Sequence, residues 1–167
     1  MATWRQLKIS DIDAVVSIMA VIHAELPESR DIFVERLRLF PEGCLGLVNE
    51  VGELSGYAIS HPIRYRQPPE LDHLLGQIAR DADQYYIHDV CVLPAFRGRG
   101  LAPQAIKKLL IVAERYPSAC LISVYGTRSF WGRYGFLPPP SIDTSLAEKL
   151  LDYGGDATYL ERRKSDP

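Results

Sequence analysis

Sulfur and imidazole are scarce in this chain of 167 residues, which holds three cysteines and four histidines. Cys44, Cys91 and Cys120 are odd in number, far apart and each set among apolar neighbours. That pattern excludes a disulfide framework and reads as buried, reduced thiols of a cytoplasmic protein. No zinc-like Cys/His spacing occurs, and His23, His61, His73 and His88 are scattered, so no metal is expected. There is no apolar run long enough to cross a membrane, and Met1 to Lys8 lacks the apolar core of a signal peptide, so no membrane partner is expected. Excess charge of one sign is missing too. Nineteen Lys and Arg against 21 Asp and Glu leave a net charge of −2, which gives no overall pull toward nucleic acid. Repeats, low-complexity tracts and linkers are absent. One domain over residues 1–167 is expected, with 163–167 as a frayed tail.

The remaining composition, 47% hydrophobic and 24% charged, is that of an ordinary globular domain with a real core. Residues 4–9 alternate loosely, as an edge strand would. Ser10 or Asp11 can cap a helix on which Ile12, Val15, Val16, Met19 and Ile22 recur at helical spacing, up to Pro27. A shorter helix fits residues 31–40. Residues 44–49 and 54–60 read as a hairpin around the turn at 50–53. Residues 85–93 form the longest and most apolar strand candidate, buried on both faces. Ala102, Ala105, Ile106, Leu109, Leu110 and Ala113 then mark a helix, and Pro103 fixes its start, since proline is tolerated only in the first turn. A strand at 119–125 completes a β-α-β unit with parallel strands. Short helices are expected within 126–134 and 146–151, and a last strand at 157–162. The excursion at 61–84 is long for a strand connection, and Leu71, Leu74, Leu75 and Ile78 suggest a short helix starting near Pro69.

The most informative residues are Arg97-Gly98-Arg99-Gly100-Leu101-Ala102, between the apolar strand and the helix. A glycine turn running into a helix N-terminus binds anions: unpaired N–H groups point outward, the helix dipole favours negative charge, and glycine admits a close approach. Arg97 and Arg99 add forked donors suited to phosphate oxygens. A Walker loop needs Lys-Ser/Thr after its last glycine, which is missing. A dinucleotide-binding turn needs a small residue where Pro103 stands, and a place in the first β-α unit.

Arg97-x-x-Gly100-x-Ala102 resembles the Arg/Gln-x-x-Gly-x-Gly/Ala pyrophosphate motif of the GNAT N-acetyltransferase superfamily. The segment from Asp89 to Leu101 is similar to that family's fourth strand and loop, and Phe130-Trp-Gly-Arg-Tyr-Gly-Phe136 to its C-terminal motif. The resemblance implies an α/β fold with a central mixed sheet of six to seven strands, split between the fourth and fifth and flanked by about four helices. It implies acetyl-coenzyme A as co-substrate, lying in the split. Val90, Cys91 and Val92 would pair with the pantetheine arm. Arg97, Gly98, Arg99, Gly100, Leu101, Ala102 and Pro103 would surround the pyrophosphate, although Pro103 has no N–H to give. Tyr125 and Trp131 would complete the coenzyme site.

The activity implied is direct transfer of acetyl from the thioester to a primary amine of a small molecule or peptide, by a monomer or homodimer. It needs a base for the amine, donors for the oxyanion and an acid for the leaving thiolate. His88 and Asp89 are the base candidates. On a regular strand adjacent side chains alternate, so only one of them would face the cleft. The family's usual tyrosine is replaced by Trp131, whose indole is no practical proton source. Tyr134, Tyr125 or water would then protonate the thiolate. Cys91 as an acyl-carrying nucleophile lacks a base adjacent in sequence. Trp131 also keeps a second reading open, a coenzyme-binding sensor with little turnover. Glu25, Glu28, His61, Arg64, Tyr65 and Arg66 could border the acceptor.

Overall fold

The computed structural model describes residues 1–164. The tail expected at 163–167 lies outside the described residues from 165 on, whereas Arg163 pairs with Ser118. Among the described residues six strands form one sheet in the order β1-β2-β3-β4-β5-β6: β1 Thr3–Gln6, β2 Cys44–Val48, β3 Leu54–Ile63, β4 Gln84–Val92, β5 Ser118–Ser123 and β6 Thr158–Arg163. All neighbours are antiparallel except β4 and β5. Among the described residues five α-helices flank the sheet: α1 Ile12–Ile22, α2 Arg30–Leu39, α3 Leu101–Ala113, α4 Arg128–Gly132 and α5 Thr144–Leu151. The expected α/β mixed sheet with a parallel β-α-β unit is the observed architecture. β3, at ten residues, is longer than β4 at nine, because Pro62 continues the pairing opposite Tyr85.

α3 covers one face. Leu101, Ala105, Ile106, Leu109 and Ala113 are buried with Tyr85, Ile87 and Val92, whereas Ala102 and Leu110 of the stripe read from the sequence are only partly buried against them. The Trp4 indole donates to the Leu101 carbonyl at 2.7 Å and so ties the edge strand to the start of α3. On the other face, Ile12, Val15 and Met19 of α1 and Phe33 and Leu37 of α2 pack on Tyr57, Ile59 and Cys91. Leu146 of α5 and Tyr153 cover the β4–β5 end of that face. Asp11 stands at the start of α1 but does not cap it; its carboxylate takes the Lys8 N–H at 2.7 Å and pairs with Arg5.

Two departures from regular structure position the site. The first is a bulge in β4. Ile59 pairs with Asp89 and Ser60 with Ile87, which leaves His88 as the extra residue. A one-residue bulge resets the alternation of faces. The second concerns residues 64–83, where no helix forms. The backbone N–H of Asp72 donates to Glu28, and those of Leu75 and Gly76 donate to the Glu35 carboxylate at 2.6 and 2.9 Å. Arg36 reaches the His73 carbonyl at 3.0 Å. Donors engaged by acidic side chains are lost to an i→i−4 ladder, and Asp72 and Gly76 both have positive φ. The leucine spacing there is outweighed by this clamp onto α2.

Candidate active site

β4 and β5 are paired only from Gln84 to Ile87 against Ser118 to Leu121. Beyond Ile87 they part, and the β4 edge from His88 to Val92 faces a cleft of about 610 Å³. Val90, Val92, Ile122, Val124, Phe130 and Trp131 give it apolar walls. At one end lie Arg97, Gly98, Gly100, Leu101, Ala102 and Pro103. Gly98 and Gly100 have φ of +78° and +71°, and a side chain on either would project into open space. Glycine is therefore demanded by backbone conformation, and the α3 N-terminus stays uncovered. The Arg97 guanidinium turns back to the Val92 carbonyl at 3.1 Å.

Of the residues assigned to the coenzyme from sequence, Val90, Cys91, Val92, Arg97, Gly98, Gly100, Leu101, Ala102, Pro103, Tyr125 and Trp131 line this cleft. Arg99 does not; it lies over Phe96 with its guanidinium carbon 5.2 Å from the ring centroid and borders a separate surface cavity with Met1 and Asn49. Tyr134 is also outside the lining, packed against Phe130 and Trp131.

Because of the bulge, His88 and Asp89 project to the same face, and both line the cleft. The sequence expectation that only one could do so is corrected. Each joins a partner from the segment around the end of α1. His88 Nε2 meets Glu28 Oε1 at 2.5 Å, and its Nδ1 lies 3.2 Å from the Tyr86 hydroxyl. Asp89 Oδ2 meets His23 Nε2 at 2.8 Å and accepts from the Tyr57 hydroxyl at 2.7 Å. His23 Nδ1 lies 2.9 Å from the Tyr125 hydroxyl, with the two rings stacked. Cys91 Sγ donates to Asp89 Oδ1 at 3.1 Å and lies 3.2 Å from His23 Nε2.

These contacts shift the titration of each group. Burial pulls the His88 pKa down, but the charge and hydrogen bond of Glu28 outweigh it and the net shift is upward. Burial likewise opposes the His23 shift, and Asp89 turns it upward. Burial raises the Asp89 and Glu28 carboxyls, yet their histidines hold both below the usual range. Burial, then Asp89, pushes the Cys91 thiol far up. Each buried carboxylate thus faces an imidazole whose protonated form it favours, so that a charge on one is offset by its partner.

A second, smaller cavity adjoins the cleft and shares His23, His88 and Asp89 with it; Leu26, Glu28, Leu71 and Tyr153 form its far wall. Among the acceptor-side candidates, Glu28 is central. His61 is enclosed instead, its ring 5.5 Å from that of Tyr86, with burial holding its pKa down to about 3. Arg64 pairs with Asp81, and Arg66 forks onto Glu161. His23 and Tyr57 were not singled out from sequence. The only signal for His23 is its place at the end of an apolar helix, four residues before Pro27.

A family model described as Acetyltransferase (GNAT) family matches residues 12–136. Solved structures with the same fold include Ard1 from Thermoplasma volcanium, at 17% identity and a TM-score of 0.69 over 99% of both chains. N-acetylglutamate synthase from Neisseria gonorrhoeae, complexed with coenzyme A and N-acetyl-glutamate, matches at 16% identity and 0.73, over 99% of this chain and 36% of that one. Arabidopsis thaliana Naa50, in complex with the bisubstrate analogue CoA-Ac-MVNAL, matches at 9% and 0.70, over 96% and 97%. At these identities the likeness is one of fold. Among curated proteins, no significant match is found.

Proposed function

The chain belongs to the GNAT acetyltransferase family, and we propose that it transfers acetyl from acetyl-coenzyme A directly to a primary amine of a small molecule or peptide. The observation that carries this reading is the parting of β4 and β5 beyond Ile87, which joins an uncovered helix N-terminus to two histidine–carboxylate pairs. The pyrophosphate sits on the turn from Gly98 to Ala102, the pantetheine runs along Val90 to Val92, and Trp131 walls the thioester end. The relatives whose structures hold coenzyme A support that placement, and those with an amino-acid or peptide acceptor support an amine.

In the reaction, the amine nitrogen attacks the thioester carbonyl, the N–C bond forms and the C–S bond breaks. His88, at the junction of the cleft and the second cavity, takes the amine proton at Nδ1, in place of its contact with the Tyr86 hydroxyl, with Glu28 at Nε2 stabilising the imidazolium that results. A backbone N–H on the open β4 edge holds the oxyanion. Tyr125 protonates the departing thiolate and is resupplied from His23, whose protonated form Asp89 favours. Trp131 therefore need not act as the acid. Because Glu28 raises the His88 pKa, the base becomes free only above the ordinary imidazole range, so activity should rise with pH there.

The test is release of free thiol from acetyl-coenzyme A in the presence of a panel of amines and short peptides. Turnover on at least one amine, lost in His88→Gln, is the expected result. Tight coenzyme binding with no turnover on any amine would favour a sensor instead.

A further inference from the structure

The structure assigns a second capability to the same wall of the cleft: we propose that His23, Asp89 and Cys91 form a binding site for a zinc-class divalent ion. One donor atom from each lies within 4.8 Å of the other two. The separations are 2.8 Å from His23 Nε2 to Asp89 Oδ2, 3.2 Å from His23 Nε2 to Cys91 Sγ, and 3.1 Å from Cys91 Sγ to Asp89 Oδ1. Around a tetrahedral zinc, with bonds of about 2.0–2.3 Å, such atoms stand roughly 3.4–3.6 Å apart. The two sulfur contacts must widen by a few tenths of an ångström and the His23–Asp89 contact by about 0.6 Å, and the carboxylate, which meets His23 through Oδ2 and Cys91 through Oδ1, must turn one oxygen to the ion or hold it with both.

The donor set selects the ion. One sulfur, one imidazole nitrogen and one carboxylate suit zinc, whereas calcium and magnesium prefer shells made of oxygen. The outer contacts already have the form that such a site uses. Tyr57 donates to the Asp89 carboxylate, and Tyr125 engages the far nitrogen of His23, which leaves Nε2 aimed inward. The balance is simple: the Cys91 thiol gives its proton to solvent, and the dication offsets the thiolate and carboxylate in a largely buried place. All three residues also line the cleft, so the fourth coordination position opens toward the thioester end. This is the arrangement of a site with three protein ligands and one exchangeable position. The sequence hides it, because His23 and the two β4 residues meet only through the fold.

One consequence rests on the acetyl-transfer reading above. A bound ion occupies His23 Nε2 and Asp89, which that reading uses for proton supply, so zinc would inhibit. The experiment uses the full chain, stripped with a chelator and titrated with Co2+, then with Zn2+. One equivalent of Co2+ should bind with a thiolate-to-cobalt charge-transfer band and tetrahedral d–d bands, and Zn2+ should displace it. Cys91→Ser should lose the charge-transfer band and His23→Ala should weaken binding at least tenfold, while Cys120→Ala keeps both; circular dichroism checks that each variant is folded. A wild-type titration without a thiolate band, or equal affinity in folded Cys91→Ser, would overturn the site. Zinc binding without inhibition of thiol release would leave the site standing and remove His23 from the chemistry.

Discussion

The two ends of the cleft are built in opposite ways. The end proposed for the coenzyme is built mainly from one continuous stretch, β4, the glycine turn and α3, which offers backbone groups held by regular structure. The end proposed for the acceptor is assembled from side chains on separate segments: His23 and Glu28 around the loop after α1, the bulge at His88, and residues 64–83 clamped by Glu35 and Asp72. Backbone-built binding depends on a few conformational requirements. Side-chain-built chemistry depends on long-range contacts, and Glu28 shows how tightly these are shared: one carboxylate oxygen holds His88 and the other takes the Asp72 N–H.

If that division is right, changes at the acceptor end alter turnover and stability while sparing coenzyme affinity. The largest effect is expected from His88→Gln, which removes the proposed base: kcat should fall about 10²- to 10⁴-fold, the usual range for such a group, with coenzyme binding unchanged. A parallel loss of coenzyme affinity would erase the distinction. Glu35→Ala takes the acceptor from two backbone N–H groups, so denaturant unfolding should show a loss of about 2 kcal/mol. An unaltered midpoint would mean that residues 64–83 are not held by this clamp. Tyr125→Phe keeps the stacking on His23 but removes the hydroxyl; kcat should drop about tenfold, since water can still protonate a thiolate.

The smallest effect is in the pH dependence of stability. The His88 pKa is raised on folding, so its contribution is complete below the ordinary imidazole value and is lost as pH rises through the folded value. The Glu28 pKa is lowered, so its contribution is present above the ordinary carboxylate value and is lost as pH falls through the folded value. The melting temperature should therefore decline on the alkaline side of the imidazole range, and Glu28→Gln should flatten that decline. A slope unchanged by Glu28→Gln would show that the pair contributes nothing to folding.

The same contrast explains what could be read from the sequence. Pro103 and the stripe through Leu109 define α3 locally, and the glycines at 98 and 100 answer a need of the backbone itself, so the turn was legible. The bulge was not. It is a register shift between Ile59 and Ser60, a property of two strands together, and without it alternation separates His88 from Asp89. The helix expected near Pro69 failed for a similar reason, since Glu28 and Glu35 take donors that leucine periodicity alone would leave to a helix. Tyr125 was weighed as an acid from sequence, but its link to Asp89 through His23 exists only in the folded chain.

The central claim is that the cleft between β4 and β5 holds coenzyme A with its pyrophosphate on the turn at Gly98–Gly100. Calorimetry of acetyl-coenzyme A with the wild-type chain and with Gly100→Val tests it most directly. Valine is strained at a φ of +71° and projects into the space the phosphates would fill. One-to-one binding by the wild type is expected, weakened about 100-fold or more in the variant, as the loss of two charge-assisted hydrogen bonds would give, with the melting transition retained. Equal affinity in a folded Gly100→Val, or no binding by the wild type, would contradict it.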